Sequence, residues 1–206
     1  MLKLVIGDRN YSSWSLRPWL AIKQAELPFE EVYIRLRGIG TKAEIFKYSP
    51  SGKVPCLIDG DTVVWDSLAI CEYLAETKPA LWPADRRARA EARSVCAEMH
   101  SGFNALRQFM PMQIHASKPY DERTAEVKAD IARIVTIWES CRARFAADGP
   151  FLFGTFSIAD AMFAPVVWRF LTYVVELPAT SRDWVEMMCA LPAMHEWRAA
   201  ALAEAD

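Results

Sequence analysis

No C-x-x-C pair occurs among the 206 residues, and the five cysteines (Cys56, Cys71, Cys96, Cys141, Cys189) are odd in number and scattered. That excludes a dithiol redox motif and a cysteine-rich zinc site, and it argues against a disulfide framework. The three histidines never fall at helical spacing from one another, so no metal is expected. Charge of one sign is lacking too: 24 basic residues against 26 acidic leave a formal charge of −2. Nothing here draws the chain to nucleic acid or to an anionic membrane. Residues 1–7 are too short an apolar run for a secretion signal, and Lys3 interrupts them. The longest later apolar stretch, 161–175, carries Arg169 and falls short of a bilayer span. A reduced, soluble, cytoplasmic protein is expected. With 52% apolar residues the chain has enough to build one large core or two small ones.

What is present is a change of periodicity along the chain. "LKLVIG" (2–7) reads as a short branched strand, and 13–24 as a helix on Trp14, Leu16, Trp19, Leu20 and Ile22, with Pro18 tolerated in its first turns. "FEEVYIRL" (29–36) is a second strand, and 41–49 a short helix stopped by Pro50. "VPCLID" (54–59) and "TVVW" (62–65) flank Gly60-Asp61, a hairpin signal, and 66–77 is an amphipathic helix capped by Asp66 or Ser67. Two prolines mark 78–85 as a linker. Every later periodic segment is helical: 85–116, 121–147, 157–174, 181–190 and 193–204. The expected division is a mixed domain over 1–77, a linker over 78–85 and a helical domain over 86–206.

Three stretches carry chemistry. "NYSSWSLRPWL" (10–20) gathers Ser12, Ser13 and Ser15 where a helix begins. One hydroxyl caps a helix; the surplus is either solvated or meant for a ligand. Asp66-Ser67 opens a helix, a place that favours a carboxylate ligand, although plain capping explains the pair equally well. Ser157 and Asp160 have the spacing of a capping box, which implies a folding role. "GIGTKA" (38–43) matches a dinucleotide fingerprint, but the Val-Pro strand and hairpin after it do not continue a parallel βαβ unit.

Four motifs in this order resemble the glutathione transferase superfamily: "SSWSLR" (12–17), close to the serine stretch of its zeta class, "GKVPCL" (52–57), "DSLAICEYL" (66–74) and "GTFSIADAMFAP" (154–165). Trp14 stands where the zeta class has cysteine, and Asp66 where the family has Glu or Gln. The resemblance implies an α/β thioredoxin-like N-terminal domain followed by an all-α C-terminal domain, with glutathione as co-substrate. It assigns Ser12 first, then Ser13, to holding the glutathione thiolate, with Tyr11 as a third hydroxyl. It implies a cis Val54-Pro55 bond that presents the Val54 backbone to the cysteinyl part. Ser67 takes the γ-glutamyl carboxylate, Asp66 its ammonium, and Lys53, with Lys42, the glycyl carboxylate. The helical domain is expected to lend the acceptor pocket. Met99, Phe103, Phe109, Met110, Met112 and His115 lie on or near its first helix, a stripe that reads equally as core; Arg107 is the polar residue of interest there. The implied reaction is thiolate attack on a small hydrophobic electrophile, as in detoxification, by a homodimer. A maleylacetoacetate-type isomerase, a peroxidase or disulfide reductase, and a non-catalytic glutathione-binding module are the alternatives.

Overall fold

The computed structural model describes residues 1–119 and 123–204. Strand β1 (Leu2–Ile6) is followed by helix α1 (Ser13–Gln24), strand β2 (Phe29–Tyr33) and the short helix α2 (Thr41–Phe46). β1 and β2 are parallel, with Leu2 opposite Phe29 and Ile6 opposite Tyr33. Strand β3 (Cys56–Asp59) then runs antiparallel to β1, and β4 (Thr62–Trp65) folds back on β3. Asp59 pairs directly with Thr62, leaving Gly60-Asp61 as a two-residue turn; Gly60 takes φ 57, which costs glycine nothing. Helix α3 (Ser67–Thr77) completes this half. The strand order β2-β1-β3-β4 is mixed, and the "GIGTKA" stretch turns into α2 rather than into a dinucleotide-binding helix.

Side chains alternate across the sheet. Leu4, Ile6 and Leu57 join Leu16, Leu20, Ile70 and Leu74 in the main core, whereas Val5 and Cys56 face the other way and pack with Ile34 and Ile45. After a 3-10 turn at Pro79–Leu81 come helices α4 (Arg86–Ser101), α5 (Asn104–Phe109), α6 (Ala125–Phe145), α7 (Ile158–Thr172), α8 (Ala179–Ala190) and α9 (Pro192–Ala203). Helix α7 is buried from Ile158 to Phe170 and packs on both α1 and α4. α1 is therefore covered on two sides, which is why Ser13, Ser15, Arg17 and Pro18 are as buried as its apolar residues.

Several expected elements change length. The segment 85–116 is not one helix: α4 stops at Ser101, Phe103 turns left-handed at φ 59, and α5 restarts at Asn104. The break lies at Gly102, where an added Cβ would sit 2.8 Å from the Glu98 carbonyl oxygen. β2 ends at Tyr33 and α2 at Phe46, both short of the expected 36 and 49. The expected helix 121–147 begins at residues outside the described ones; α6 itself starts at Ala125 behind Thr124, whose hydroxyl accepts from Val127 N–H at 3.4 Å.

Candidate glutathione site

The chain narrows to the Val54-Pro55 bond just before β3, and that bond is cis. It forms one wall of a cavity of about 510 Å³, together with Ser51 and Lys53. The opposite wall is the junction of β4 and α3, with Trp65, Asp66 and Ser67; Trp14 from α1 and His100 from α4 close the remaining sides. Five of the seven residues expected on sequence grounds thus meet in one place: Lys53, Val54, Pro55, Asp66 and Ser67.

Asp66 caps α3. Its Oδ1 accepts from Leu68 N–H at 2.9 Å and Ala69 N–H at 3.2 Å, from a backbone held at φ 78. Its Oδ2 lies 3.1 Å from His100 Nε2, so the capping residue is tied to the helical domain as well. The Ser67 hydroxyl is different: it is buried and has no hydrogen-bond partner. A native buried polar group without a partner needs a reason, and a ligand is one.

Ser12 and Ser13 do not line this cavity. Ser12 occupies the N-cap position of α1 without capping it; its hydroxyl donates to Ser15 Oγ at 2.8 Å, and Ser15 Oγ also accepts from Gly7 N–H at 3.1 Å. Ser13 Oγ accepts from Arg169 Nη2 at 3.3 Å. Both serines are 5% exposed, so the surplus hydroxyls are neither caps nor solvated. Tyr11 lines a separate cavity of about 610 Å³ with His115 and Arg37, whose guanidinium lies 3.8 Å from the Tyr11 ring centre. Lys42 lines a third, of about 580 Å³, which shares Trp14, Lys53 and Val54 with the first.

A cationic group backs the Trp14 wall. Arg17 lies 4.3 Å and Arg107 4.7 Å from the Trp14 ring centre. Arg17 is fully buried; its Nε donates to the Met162 carbonyl at 3.1 Å, while both terminal nitrogens lack partners. Burial, then the neighbouring Arg107 and Arg169, pushes its pKa down to about 9, which leaves it charged at neutral pH. Arg107 turns back to donate to the Gly102 carbonyl at 2.9 Å and to the Met99 carbonyl, satisfying the end of α4. Of the expected acceptor stripe, Met99, Phe103, Met110 and Met112 are core, and Phe109 is exposed.

Comparison with known proteins places this geometry. The glutathione S-transferase N-terminal domain matches residues 11–77, and the glutathione S-transferase C-terminal domain matches 121–200. Glutathione S-transferase Z1 of Arabidopsis thaliana is 30% identical over 172 residues, covering 81% of this chain and 76% of that protein. The chain belongs to the glutathione S-transferase family. A probable maleylacetoacetate isomerase of Caenorhabditis elegans is 33% identical over 108 residues, 52% of this chain, and the match spans only 50% of that protein's length. Among solved structures, a theta class glutathione S-transferase of Xanthomonas axonopodis pv. citri is 25% identical and superposes with a TM-score of 0.66 over 95% of each chain. Two residues of this arrangement were not singled out by the sequence: His100, which lines the cavity and which tertiary packing alone brings to Asp66, and Arg17, which lies behind Trp14 and reads in sequence as an ordinary helix arginine. Among the described residues, no helix is long and apolar enough to cross a membrane.

Proposed function

We propose that the chain is an enzyme that takes glutathione as co-substrate in the 510 Å³ cavity and joins its sulfur to an apolar electrophile. The observation that carries this reading is the Ser67 hydroxyl, buried and unpartnered at the first turn of α3 and facing the Val54-Pro55 wall. Leaving such a group unpaired costs about 1–3 kcal/mol, which a carboxylate ligand removes. In this reading Ser67 and the α3 N–H groups hold the γ-glutamyl carboxylate, and Asp66 the ammonium. The Val54 backbone pairs with the cysteinyl part as a strand would, and Lys53 and Lys42 meet the glycyl carboxylate. The Xanthomonas relative was solved with glutathione bound, which supports the choice of ligand.

A free thiol has a pKa of about 8.5, so each unit of lowering needs about 1.4 kcal/mol of preference for the thiolate. Two sources adjoin Trp14, the first turn of α1 on which it stands and the buried arginines; a serine hydroxyl from that same turn is the third source this reading calls on. Ser12 has committed its proton to Ser15, whereas Ser13 only accepts and keeps its own proton to give. A homodimer, a domain division at 78–85 and a cytoplasmic setting belong to this proposal; five unpaired thiols suit a reducing compartment. Calorimetric titration with glutathione and a chlorodinitrobenzene assay test it on wild type, Ser12→Ala and Ser13→Ala. One serine variant should lose about 10–100-fold in kcat. Full activity in both removes the hydroxyl from the mechanism; absence of glutathione binding sinks the reading.

A second reading, isomerisation through the same thiolate, is favoured by the match to the Caenorhabditis elegans isomerase. Turnover of maleylacetoacetate without net consumption of glutathione distinguishes it from conjugation.

A further inference from the structure

Of the residues that open α1, Trp14 alone lines the 510 Å³ cavity, and it also lines the adjoining one of about 580 Å³. Ser12 and Ser13 line neither. In both cavities Trp14 stands with Lys53 and Val54, the stretch whose backbone the glutathione reading gives to the cysteinyl part. A sulfur held there is one methylene from that backbone, and the α1 side chain beside it is the indole. The one polar atom of that ring is Nε1, which donates and never accepts. The indole N–H groups of Trp19, Trp82, Trp184 and Trp197 donate within the protein, and those of Trp138 and Trp168 are buried without a partner. Trp14 does neither: its ring is half-buried, and its N–H is open to solvent and makes no hydrogen bond among the described residues. It is a donor with its proton still to give.

The surroundings make it a strong one. Arg17 and Arg107 lie 4.3 and 4.7 Å from the ring centre, and His100 meets the ring edge-on at 5.3 Å and 74°. Arg17 is itself fully buried, and Arg107 is tied to the carbonyls at the end of α4, so the ring is gripped in place. A cation against an indole favours negative charge on it, which makes the N–H more acidic and strengthens its bond to an anion. Trp65, the other tryptophan of the cavity, stands on the β4 wall and has no cation against it among the described residues. We propose that Trp14 is a catalytic residue whose Nε1–H donates to the sulfur of bound glutathione and holds it as the thiolate. The thiol proton passes to solvent, and the ring relays the pull of the two arginines to the sulfur. The inference rests on the glutathione reading above and extends it, since it adds an indole to the serine hydroxyl that the resemblance assigns.

Trp14→Phe keeps an aromatic face for the two guanidiniums and removes the N–H. Ultraviolet titration of the thiolate band should place the thiol of bound glutathione about one pH unit higher in this variant than in wild type. An unmoved titration overturns the proposal. A second measurement needs no variant and separates the N–H from any shift of the arginines. In the indole ¹H–¹⁵N spectrum of wild type, the Trp14 resonance should move on adding glutathione and follow the titration of the thiol. It should hold still with γ-glutamyl-2-aminobutyryl-glycine, which carries a methyl in place of the thiol. Equal movement with both ligands, or none with glutathione, makes Trp14 an apolar wall and overturns the proposal. If calorimetric titration shows that wild type binds neither ligand, the glutathione reading itself has failed, a separate and recognisable result.

Discussion

A buried guanidinium with two empty-handed nitrogens is an expensive thing to keep, and Arg17 is one. Its neighbours make matters worse, since Arg107 and Arg169 both repel it. Replacing even a buried ion pair with apolar side chains of similar volume is often neutral or stabilising by about 1–4 kcal/mol, and Arg17 lacks the partner charge that would offset its desolvation. Arg17→Met should therefore melt no lower than wild type, while the thiol of bound glutathione titrates about one pH unit higher for loss of the nearby positive charge. Ultraviolet absorbance of the thiolate band reads the second effect; a lower melting temperature with an unmoved thiol titration contradicts both. Ser67→Ala makes the complementary case. Removing an unsatisfied buried hydroxyl should change stability by less than about 1 kcal/mol yet weaken glutathione binding by about ten-fold or more, because the lost bond is to a charged group. Equal affinities for wild type and variant count against the site. At this scale sequence legibility was uneven for a physical reason. Lys53 to Ser67 converge because a proline turn, a two-residue hairpin and a helix cap are each written locally. Which way the Ser12 and Ser13 hydroxyls turn is decided by Ser15 in the next turn and by Arg169, 156 residues away.

Elements with their own start and stop chemistry were readable, and those ended by packing were not. α3 begins where Asp66 caps it, and α7 begins at Ser157 as the capping box requires. The break at Gly102 carries no local signal, because one glycine inside a helical pattern is tolerated; the buried left-handed Phe103 that follows it is set by tertiary packing. Asp160 shows how much a cap can carry. Its carboxylate accepts from Ser157 N–H at 2.9 Å, Ser157 Oγ at 3.1 Å, Leu152 N–H at 2.9 Å and Trp184 Nε1 at 3.2 Å. It is fully buried, and burial outweighs these bonds to raise its pKa from 3.8 to about 6. The folded state thus binds the Asp160 proton more tightly than the unfolded chain does. Its contribution to stability is present below pH 3.8 and is lost as pH rises through about 6. Across that window wild type should lose roughly 3 kcal/mol relative to Asp160→Asn, which cannot titrate. Urea unfolding at pH steps between these limits measures it, and a pH-independent difference refutes it. Asp160→Ala, which strands all four donors, should cost about 3 kcal/mol or more at neutral pH.

At the scale of the whole molecule the two halves do not have separate cores. One apolar cluster runs from Leu4 through Leu81 and Trp82 to Ala201, crossing the segment that reads as a linker. Polar ties cross as well, and they concentrate on the loop between β1 and α1. Trp197 Nε1 donates to the Arg9 carbonyl at 3.0 Å, Asn10 Oδ1 accepts from His115 N–H at 3.2 Å, and Trp19 meets Trp197 edge-on with centres 5.0 Å apart. Glu204, just past α9, accepts from Arg9 N–H at 2.7 Å and Asn10 N–H at 3.1 Å, so the far end of the helical domain pins the loop that leads into Ser12. Such sharing makes folding all-or-none: neither half can open without exposing the other's apolar face. Denaturant unfolding followed by far-ultraviolet circular dichroism and by tryptophan fluorescence should give coincident transitions. Glu204→Ala leaves two backbone N–H groups without acceptors and should lower stability by about 1–3 kcal/mol while keeping the transition single. Two separated transitions in wild type would mean that the shared core is too weak to couple the halves. A single transition that Glu204→Ala leaves in place would mean that the loop is held by the tryptophan and asparagine contacts alone.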